Sequence, residues 1–205
     1  MQTYVVRHGQ TEWNVKGLLQ GSSDVELTPT GHSQAAATAA ALAGVLGPAT
    51  TVVTSPLVRA RNTADAISSA LGTQTHVDER LRERAYGVWE GITPEERESG
   101  WPEQVKAWRT YGSADIPGFE HHDDVRGRMV GALEEWAERA PLTLLVVTHG
   151  SSGRVGMQGV LGLSLDHRTL GNLGNAAWSR LTRRAHGDWT LERHNVTPAL
   201  LGARL

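Results

Sequence analysis

Tyr4-Val5-Val6-Arg7-His8-Gly9-Gln10-Thr11-Glu12-Trp13-Asn14 is the stretch that decides the fold. Tyr4-Val5-Val6 is a short apolar run of the kind a buried strand leaves in a sequence. The run stops at Arg7-His8-Gly9, where glycine permits a sharp exit because it takes positive φ at little cost. An arginine and a histidine therefore sit side by side at the carboxyl end of a strand. In open α/β sheets that end is where ligands bind.

Two more strand-to-helix junctions carry basic groups. Thr51-Val52-Val53-Thr54 reads as a short buried strand ending at Ser55-Pro56, and a helix from Leu57 to about Leu71 holds Arg59 in its first turn. Leu142 to Thr148 is the most strand-like run in the chain. It ends at His149-Gly150, and a helix from about Ser152 to Leu161 follows. If these strands are parallel neighbours, all three junctions share one edge of the sheet. Two arginines and two histidines then converge on one pocket. Glycines and helix amino-termini add backbone N–H donors at the same points. The guanidinium fork matches phosphate oxygens in a bidentate way. The pattern is that of a phosphate site.

The rest of the chain supplies the scaffold. Thr28 caps a helix that has Pro29 in its first position, and the alanine-rich run from His32 to Leu46 continues it to Gly47-Pro48. Thr75 to Val77 reads as a third strand. Leu81 to Gly91 is a loop of charged and aromatic residues. Thr93-Pro94-Glu95-Glu96 opens a short helix, and Gly100 to His122 shows no clean period. Asp123 to Arg139 is an amphipathic helix with Val125, Met129, Leu133 and Trp136 on one face. Asn175 to Arg183 and Trp189 to Asn195 read as two late strands joined at His186-Gly187-Asp188, followed by a tail. Strands alternate with helices, so the predicted class is α/β with a mainly parallel central sheet.

The totals narrow the function. A chain of 205 residues holds one sizeable core, and residues 1–205 read as a single domain. A net charge of -2 gives no field that favours nucleic acid or an anionic membrane. The absence of cysteine excludes disulfides, thiol catalysis and thiolate metal sites. No segment is long and apolar enough to span a bilayer. The first strand begins within a few residues of Met1 and leaves no room for a signal peptide, so a cytoplasmic location is expected.

The junctions extend into longer strings. These are Arg7-His8-Gly9-x-Thr11-x-Trp13-Asn14, Ser55-Pro56-Leu57-x-Arg59-Ala60-x-x-Thr63-Ala64 and Val146-Val147-Thr148-His149-Gly150. Between them lie Leu27-Thr28-x-x-Gly31-x-x-Gln34-Ala35 and Leu81-Arg82-Glu83-x-x-x-Gly87-x-Trp89-Glu90-Gly91. In order and spacing the set resembles the histidine phosphatase superfamily, the phosphoglycerate-mutase-like proteins, from Val5 to about Arg183. The resemblance implies a three-layer α/β/α sandwich, with residues from about 92 to 122 as a substrate-covering insertion. It makes His8 the nucleophile that takes a phosphoryl group. Arg7, Arg59 and His149 bind that group, Asn14 reaches it from the loop, and Gln20-Gly21 border it, as does Gly150. Glu83 becomes the proton donor to the leaving alcohol. No metal and no cofactor are implied. The ligand is a small-molecule phosphate ester, and a homodimer is left open because many relatives are dimers.

The residue types agree with that chemistry. Phosphoryl transfer is mostly positioning and stabilisation of charge on the equatorial oxygens. The nucleophile presents a neutral ring nitrogen in line with the leaving oxygen, and a backbone carbonyl near Gly9 can hold the other nitrogen protonated. Several neighbours read as bystanders. Glu90 is a rival acid, but the Trp89-Glu90-Gly91 turn reads as structural. His121-His122 beside Asp123 suggests a metal only at first sight, because adjacent histidines do not share a helix face. Arg154 reads as an exposed helix arginine, and Trp101, Trp108 and Trp136 as core. His32, His76, His167, His186 and His194 read as surface or core residues. Gly118-Phe119-Glu120-His121 departs from the family's Gly-Gly-Glu-Ser, which affects the substrate-facing loop and spares the phosphate site.

Three readings follow. The favoured one is a phosphomonoesterase with a phosphohistidine intermediate. A cofactor-dependent phosphoglycerate-type mutase shares every core residue, but such mutases carry extra basic residues in mid-chain, and Gly100 to His122 contains only Lys106 and Arg109 as cations. A non-catalytic phospholigand-binding protein is the alternative of another class. The stretch Leu170 to Trp178 is similar to relatives that act on glucosylated phosphoglycerate.

Overall fold

A computed structural model describes residues 1–165 and 169–198. His167 and the tail beyond residue 198 lie outside the described residues. In chain order the elements are β1 (Gln2–Arg7), α1 (Glu12–Val15), α2 (Pro29–Ala43), β2 (Thr50–Thr54), α3 (Val58–Leu71), β3 (Thr75–Val77), α4 (Pro94–Gly100), α5 (Pro102–Tyr111), α6 (His122–Arg139), β4 (Thr143–Thr148), α7 (Gly150–Val160), β5 (Trp178–Arg183) and β6 (Trp189–Val196).

Six strands form one sheet in the order β3-β2-β4-β1-β5-β6. The first four are parallel; β5 runs antiparallel to β1, and β6 to β5. Alternation along the strands divides the apolar residues between two faces. Val5, Val53, Leu144 and Val146 pack against Met129 and Leu133 of α6 and Val155 and Met157 of α7. Tyr4, Val6, Val52, Leu145 and Val147 pack against Ala39 and Leu42 of α2 and Ala60, Ala64 and Ile67 of α3. The result is the expected α/β/α sandwich with a mostly parallel sheet. A third cluster of Tyr86, Trp89, Val105 and Ile116, flanked by Trp101, Trp108 and Phe119, stands apart from the sheet.

Because β4 lies between β1 and β2, the carboxyl ends of three parallel strands meet at one edge. The ladders continue one step past the strands. His8 N donates to Thr148 O at 3.1 Å, and Ser55 N donates to Val147 O at 3.0 Å. These bonds fix the three junctions relative to one another.

Three helices depart from the sequence reading. α1 is a single turn closed by a capping box: Asn14 N donates to Thr11 Oγ1, and Thr11 N donates to Asn14 Oδ1. Asparagine takes the place that glutamate or glutamine usually holds in that motif. α5 carries Pro102 at its start and a left-handed Gly112 at its end. Its apolar stripe is too short to register as a period, since it packs on the local aromatic cluster and not on the sheet. α7 starts at Gly150, directly after His149, rather than near Ser152.

Gly9 serves a different purpose from the one expected. Its φ is not positive. A Cβ there would collide with the carbonyl of Gly31, and one at Gly31 would collide with the Gln10 carbonyl. Two backbones cross in contact, and this holds the loop after β1 against the start of α2. Gly31→Ala is expected to destabilise the protein by about 1–3 kcal/mol, the cost of overpacking a filled site. Gly131 in α6 has open space around it. Gly131→Ala is expected to stabilise by about 0.5–1 kcal/mol. Urea unfolding midpoints of the two variants are expected to move in opposite directions.

Candidate active site

His8 leaves β1 buried, 3% exposed, and its Nδ1 lies 2.7 Å from the carbonyl oxygen of Gly9. A carbonyl only accepts, so Nδ1 carries the hydrogen and donates it, leaving the Nε2 lone pair free. Asn175 Nδ2 donates to the His8 carbonyl at 3.3 Å, and Gly9 N donates to Thr63 Oγ1 of α3 at 3.1 Å. The nucleophile expected from sequence is thus held through the His8–Gly9 peptide, and on the other side by its own N–H, which donates to Thr148 O.

Two guanidinium groups flank it. Arg59 is fully buried, and its Nη1 and Nη2 donate to the carbonyls of Ser23 and Gly21 at 2.7 and 2.9 Å. Arg7 Nη1 donates to Leu173 O at 2.7 Å. Neither arginine forms an ion pair among the described residues, and Nε of each has no hydrogen-bond partner there. Burial pulls the Arg59 pKa down to about 10, which Glu83 and Asp24 partly oppose; the side chain keeps its charge at neutral pH. Burial lowers Arg7 in the same way. Gly150 packs beside this guanidinium, where a Cβ would stand in ordinary contact, 3.4 Å from Arg7 Nε.

His149 is buried behind His8, with ring centroids 5.1 Å apart. Its Nε2 is 2.7 Å from Ser55 Oγ at the end of β2. Burial, with Arg7 and Arg59 beside it, holds His8 well below the ordinary histidine range. Burial, then Arg59, His8 and Arg7, do the same to His149. Both rings are therefore neutral at neutral pH, as a nucleophile and its neighbour must be to face a phosphate without carrying a proton.

Glu83 closes the other side. Its Oε1 accepts from Arg84 N and Ser152 N, both at 2.8 Å, and Oε2 accepts from Ser151 N at 3.1 Å. The amino-terminus of α7 thus holds the carboxylate in place, as a helix start does for any anion. Asn14 Oδ1 accepts from Thr11 N, Thr11 Oγ1 and Asn175 Nδ2. With the oxygen so occupied, its Nδ2 is the end available to an anion.

These groups enclose a cavity of about 140 Å³, lined by Arg7, His8, Asn14, Gln20, Arg59, Glu83 and Gly150 together with Leu18, Leu19, Tyr86, Ser151 and Asn172. His149 and Gly21 do not line it. Gly21 acts at one remove, through the carbonyl that holds Arg59. No residue from 92 to 122 lines it either; that segment reaches the lining through the packing of its aromatic cluster against Tyr86 and Leu19.

The family model described as the histidine phosphatase superfamily (branch 1) matches residues 3–197. The chain belongs to that superfamily. The glucosyl-3-phosphoglycerate phosphatase of Mycolicibacterium vanbaalenii is 34% identical over 195 residues, covering 90% of this chain and 86% of that protein. A probable phosphoglycerate mutase of Serratia proteamaculans is 35% identical over 219 residues, covering 98% and 97%. Among solved structures, a mycobacterial glucosyl-3-phosphoglycerate phosphatase in complex with VO3 superposes with a TM-score of 0.88 at 31% identity, covering 96% of this chain and 99% of that one. The protein is accordingly an enzyme of the phosphatase kind, acting on a small phosphorylated metabolite.

Tyr86 and Ser151 of this histidine phosphatase's pocket carried no sequence signal, since they lie in a loop and at a helix start, where polar residues are common; Asn172 and Asn175 fall in the Leu170 to Trp178 stretch, whose resemblance gave no role to either. Arg154, expected on the surface, is 8% exposed, and its Nε donates to Asn172 Oδ1 at 3.0 Å. Trp101 and Trp108 pack in the aromatic cluster, and Trp136 donates to Asp78 Oδ2. The reason for discounting a metal at His121-His122 fails in part. His121 is the extended residue capping α6, so it can turn toward its neighbour. Its Nδ1 and the Nε2 of His122 stand 3.5 and 3.7 Å from the Asp123 carboxylate. That group lies away from the phosphate cavity and enters no step below.

The two lowered histidines make stability depend on pH. In the unfolded chain each binds a proton near pH 6.5, while in the folded protein each does so only at lower pH. Their contribution is full above about pH 6.5 and is lost as the pH falls toward the folded values. The unfolding free energy is expected to drop by up to about 1.4 kcal/mol per pH unit for each histidine between pH 6.5 and 5. Denaturant titrations across that range check it, and His149→Asn is expected to reduce the slope by the share of one proton.

Proposed function

We propose that this enzyme hydrolyses a phosphoglycerate-type ester, glucosyl-3-phosphoglycerate first among them, through a phosphohistidine at His8. The observation that carries the reading is a neutral, buried His8 between a buried Arg59 and a half-buried Arg7, neither of which has a carboxylate partner among the described residues. A buried cation without a counter-ion is costly. A phosphoryl dianion supplies the missing charge.

Nε2 of His8 attacks phosphorus as the ester P–O bond breaks. Arg7, Arg59 and the Asn14 amide bind the equatorial oxygens, and His149 supports them from behind. Glu83 takes up a proton from solvent and passes it to the departing alkoxide, a step worth about two to four powers of ten. It then takes a proton from water, whose oxygen attacks phosphorus, releasing inorganic phosphate and restoring His8. Nothing in this scheme calls for a metal or cofactor.

The substrate class follows from size and polarity. About 140 Å³ is well below the ~300–1,000 Å³ of a site that encloses a drug-sized ligand. The cavity holds the phosphoryl group, and the alcohol lies beside Ser151, Tyr86 and Asn172. Arg154 occupies Asn172 Oδ1, so the amide offers its N–H donors to hydroxyl or carboxylate oxygens of the leaving group. The names of the relatives agree with an acidic, hydroxyl-rich alcohol. Hydrolysis is favoured over a mutase because, among the described residues, the cations lining the cavity are Arg7 and Arg59. Arg109 is paired with Glu98 on α4.

Phosphate release from an ester panel, with chelator present, tests this. Wild type is expected to release phosphate from glucosyl-3-phosphoglycerate with a higher kcat/KM than from p-nitrophenyl phosphate, and His8→Ala to release none from either. Glu83→Gln is expected to cost about 10²–10⁴ in kcat on the sugar ester and far less on the aryl ester, whose leaving group needs no proton. Phosphoryl exchange between phosphoglycerates without phosphate release would overturn hydrolysis. A rate on the sugar ester no better than on the aryl ester would remove that substrate.

A further inference from the structure

Glu90 was the rival proton donor in the sequence, and it does not line the cavity. It is nevertheless among the most heavily hydrogen-bonded carboxylates in the molecule. Its Oε1 accepts from Ser22 N at 3.0 Å and from Tyr86 N at 3.0 Å. Its Oε2 accepts from Ser23 N at 3.2 Å and from Ser23 Oγ at 2.9 Å, and Ser22 Oγ lies 3.2 Å from both oxygens. One carboxylate thus joins the loop after Gln20 to the loop that carries Glu83.

The peptide groups it binds are the ones next to Arg59. The Gly21–Ser22 peptide turns its N–H to Glu90 and its carbonyl to Arg59 Nη2, at 2.9 Å. Ser23 donates the N–H of the preceding peptide to Glu90, and its own carbonyl, in the next peptide, accepts from Arg59 Nη1 at 2.7 Å. Two successive N–H groups cradle the carboxylate on one side of the strand of chain, and two carbonyls grip the guanidinium on the other. Successive N–H groups of this kind form an anion-binding concavity. Hydrogen bonds in such a chain polarise one another. The fit is close enough to exclude a side chain, because a Cβ on Gly21, at φ +51°, would collide with Glu90 Oε1.

We propose that Glu90 is a positioning residue for phosphate binding, ordering the Gly21–Ser23 segment whose carbonyls hold the Arg59 guanidinium at the cavity wall. The inference rests on the reading that Arg59 binds the phosphoryl group. Without Glu90, the two peptide groups lose the acceptor that orients them, and Arg59 loses a fixed grip. The effect falls on the phosphoryl group, which every substrate shares, and not on the leaving group. Removing a proton donor would do the reverse, hurting alkyl esters more than aryl esters.

Binding of inorganic phosphate to the full chain, measured by calorimetry and as competitive inhibition, separates these cases. Glu90→Ala is expected to weaken phosphate binding by about tenfold or more, the scale of losing charge-assisted hydrogen bonds. KM for p-nitrophenyl phosphate and for an alkyl phosphate is expected to rise by the same factor, with the ratio of their kcat values unchanged. Glu90→Gln is expected to recover part of the loss, since its carbonyl oxygen still accepts N–H donors, and it serves if the alanine variant does not fold. Measurements are made at a temperature where circular dichroism shows the variant folded, so that a merely structural loss leaves phosphate affinity unmoved. Unchanged phosphate affinity in a folded variant overturns the proposal, as does a loss confined to kcat on the alkyl ester. If wild type hydrolyses nothing, the proposed reaction fails, yet the calorimetric comparison still decides the role of Glu90.

Discussion

Two guanidinium groups, a buried Arg59 and a half-buried Arg7, held without a carboxylate partner among the described residues are the constraint on which the active-site edge depends. A salt bridge to each would satisfy the charge and spend it, leaving little attraction for a phosphate. Main-chain carbonyls solve the problem differently. Those of Gly21 and Ser23 hold Arg59, and that of Leu173 holds Arg7. They satisfy N–H donors and fix the planes of the forks while leaving the net charge in place. The cost of the two nearby cations is borne by the sheet core around them.

The same charges determine the state of the nucleophile. A histidine beside two arginines and out of water sheds its proton, and the Gly9 carbonyl then decides which nitrogen keeps the hydrogen. Nucleophilicity at Nε2 is therefore a consequence of where Arg7 and Arg59 sit. On the opposite side, the negative charge of Glu83 is placed at the start of α7, where free N–H groups point outward. Cations on carbonyls and an anion on amides use the backbone twice, in its two opposite senses.

The three strand-to-helix junctions were legible in the sequence because their signals are local. Apolar runs of three to seven residues, stopped by glycine or proline, mark strand ends whatever the rest of the chain does. Arg7, His8, Arg59 and His149 follow from them. Glu83 was legible only through resemblance, since an acid in a charged loop has no period or cap to mark it. The one-turn helix at Glu12–Val15 and the helix at Pro102–Tyr111 were not legible, because the first is too short for a stripe and the second packs on its own aromatic cluster. Arg154 read as exposed because a helix arginine carries no sign of which turn will face the pocket wall.

By itself, then, the sequence determined the class of fold, the edge where chemistry occurs and the residues with a formal charge or a nucleophile to contribute. These depend on backbone propensities and apolar spacing, which act over a few residues. Only the tertiary structure decided that His149 stands behind His8 and not in the cavity, and that Asn175 holds both the His8 carbonyl and Asn14. It also decided that Gly9 and Gly31 are small for each other's sake, and that Glu90 serves Arg59. Each of these is a contact between segments at least twenty residues apart. Hydrogen-bond direction and steric fit across such a gap are set by how the layers close, and no local pattern encodes them.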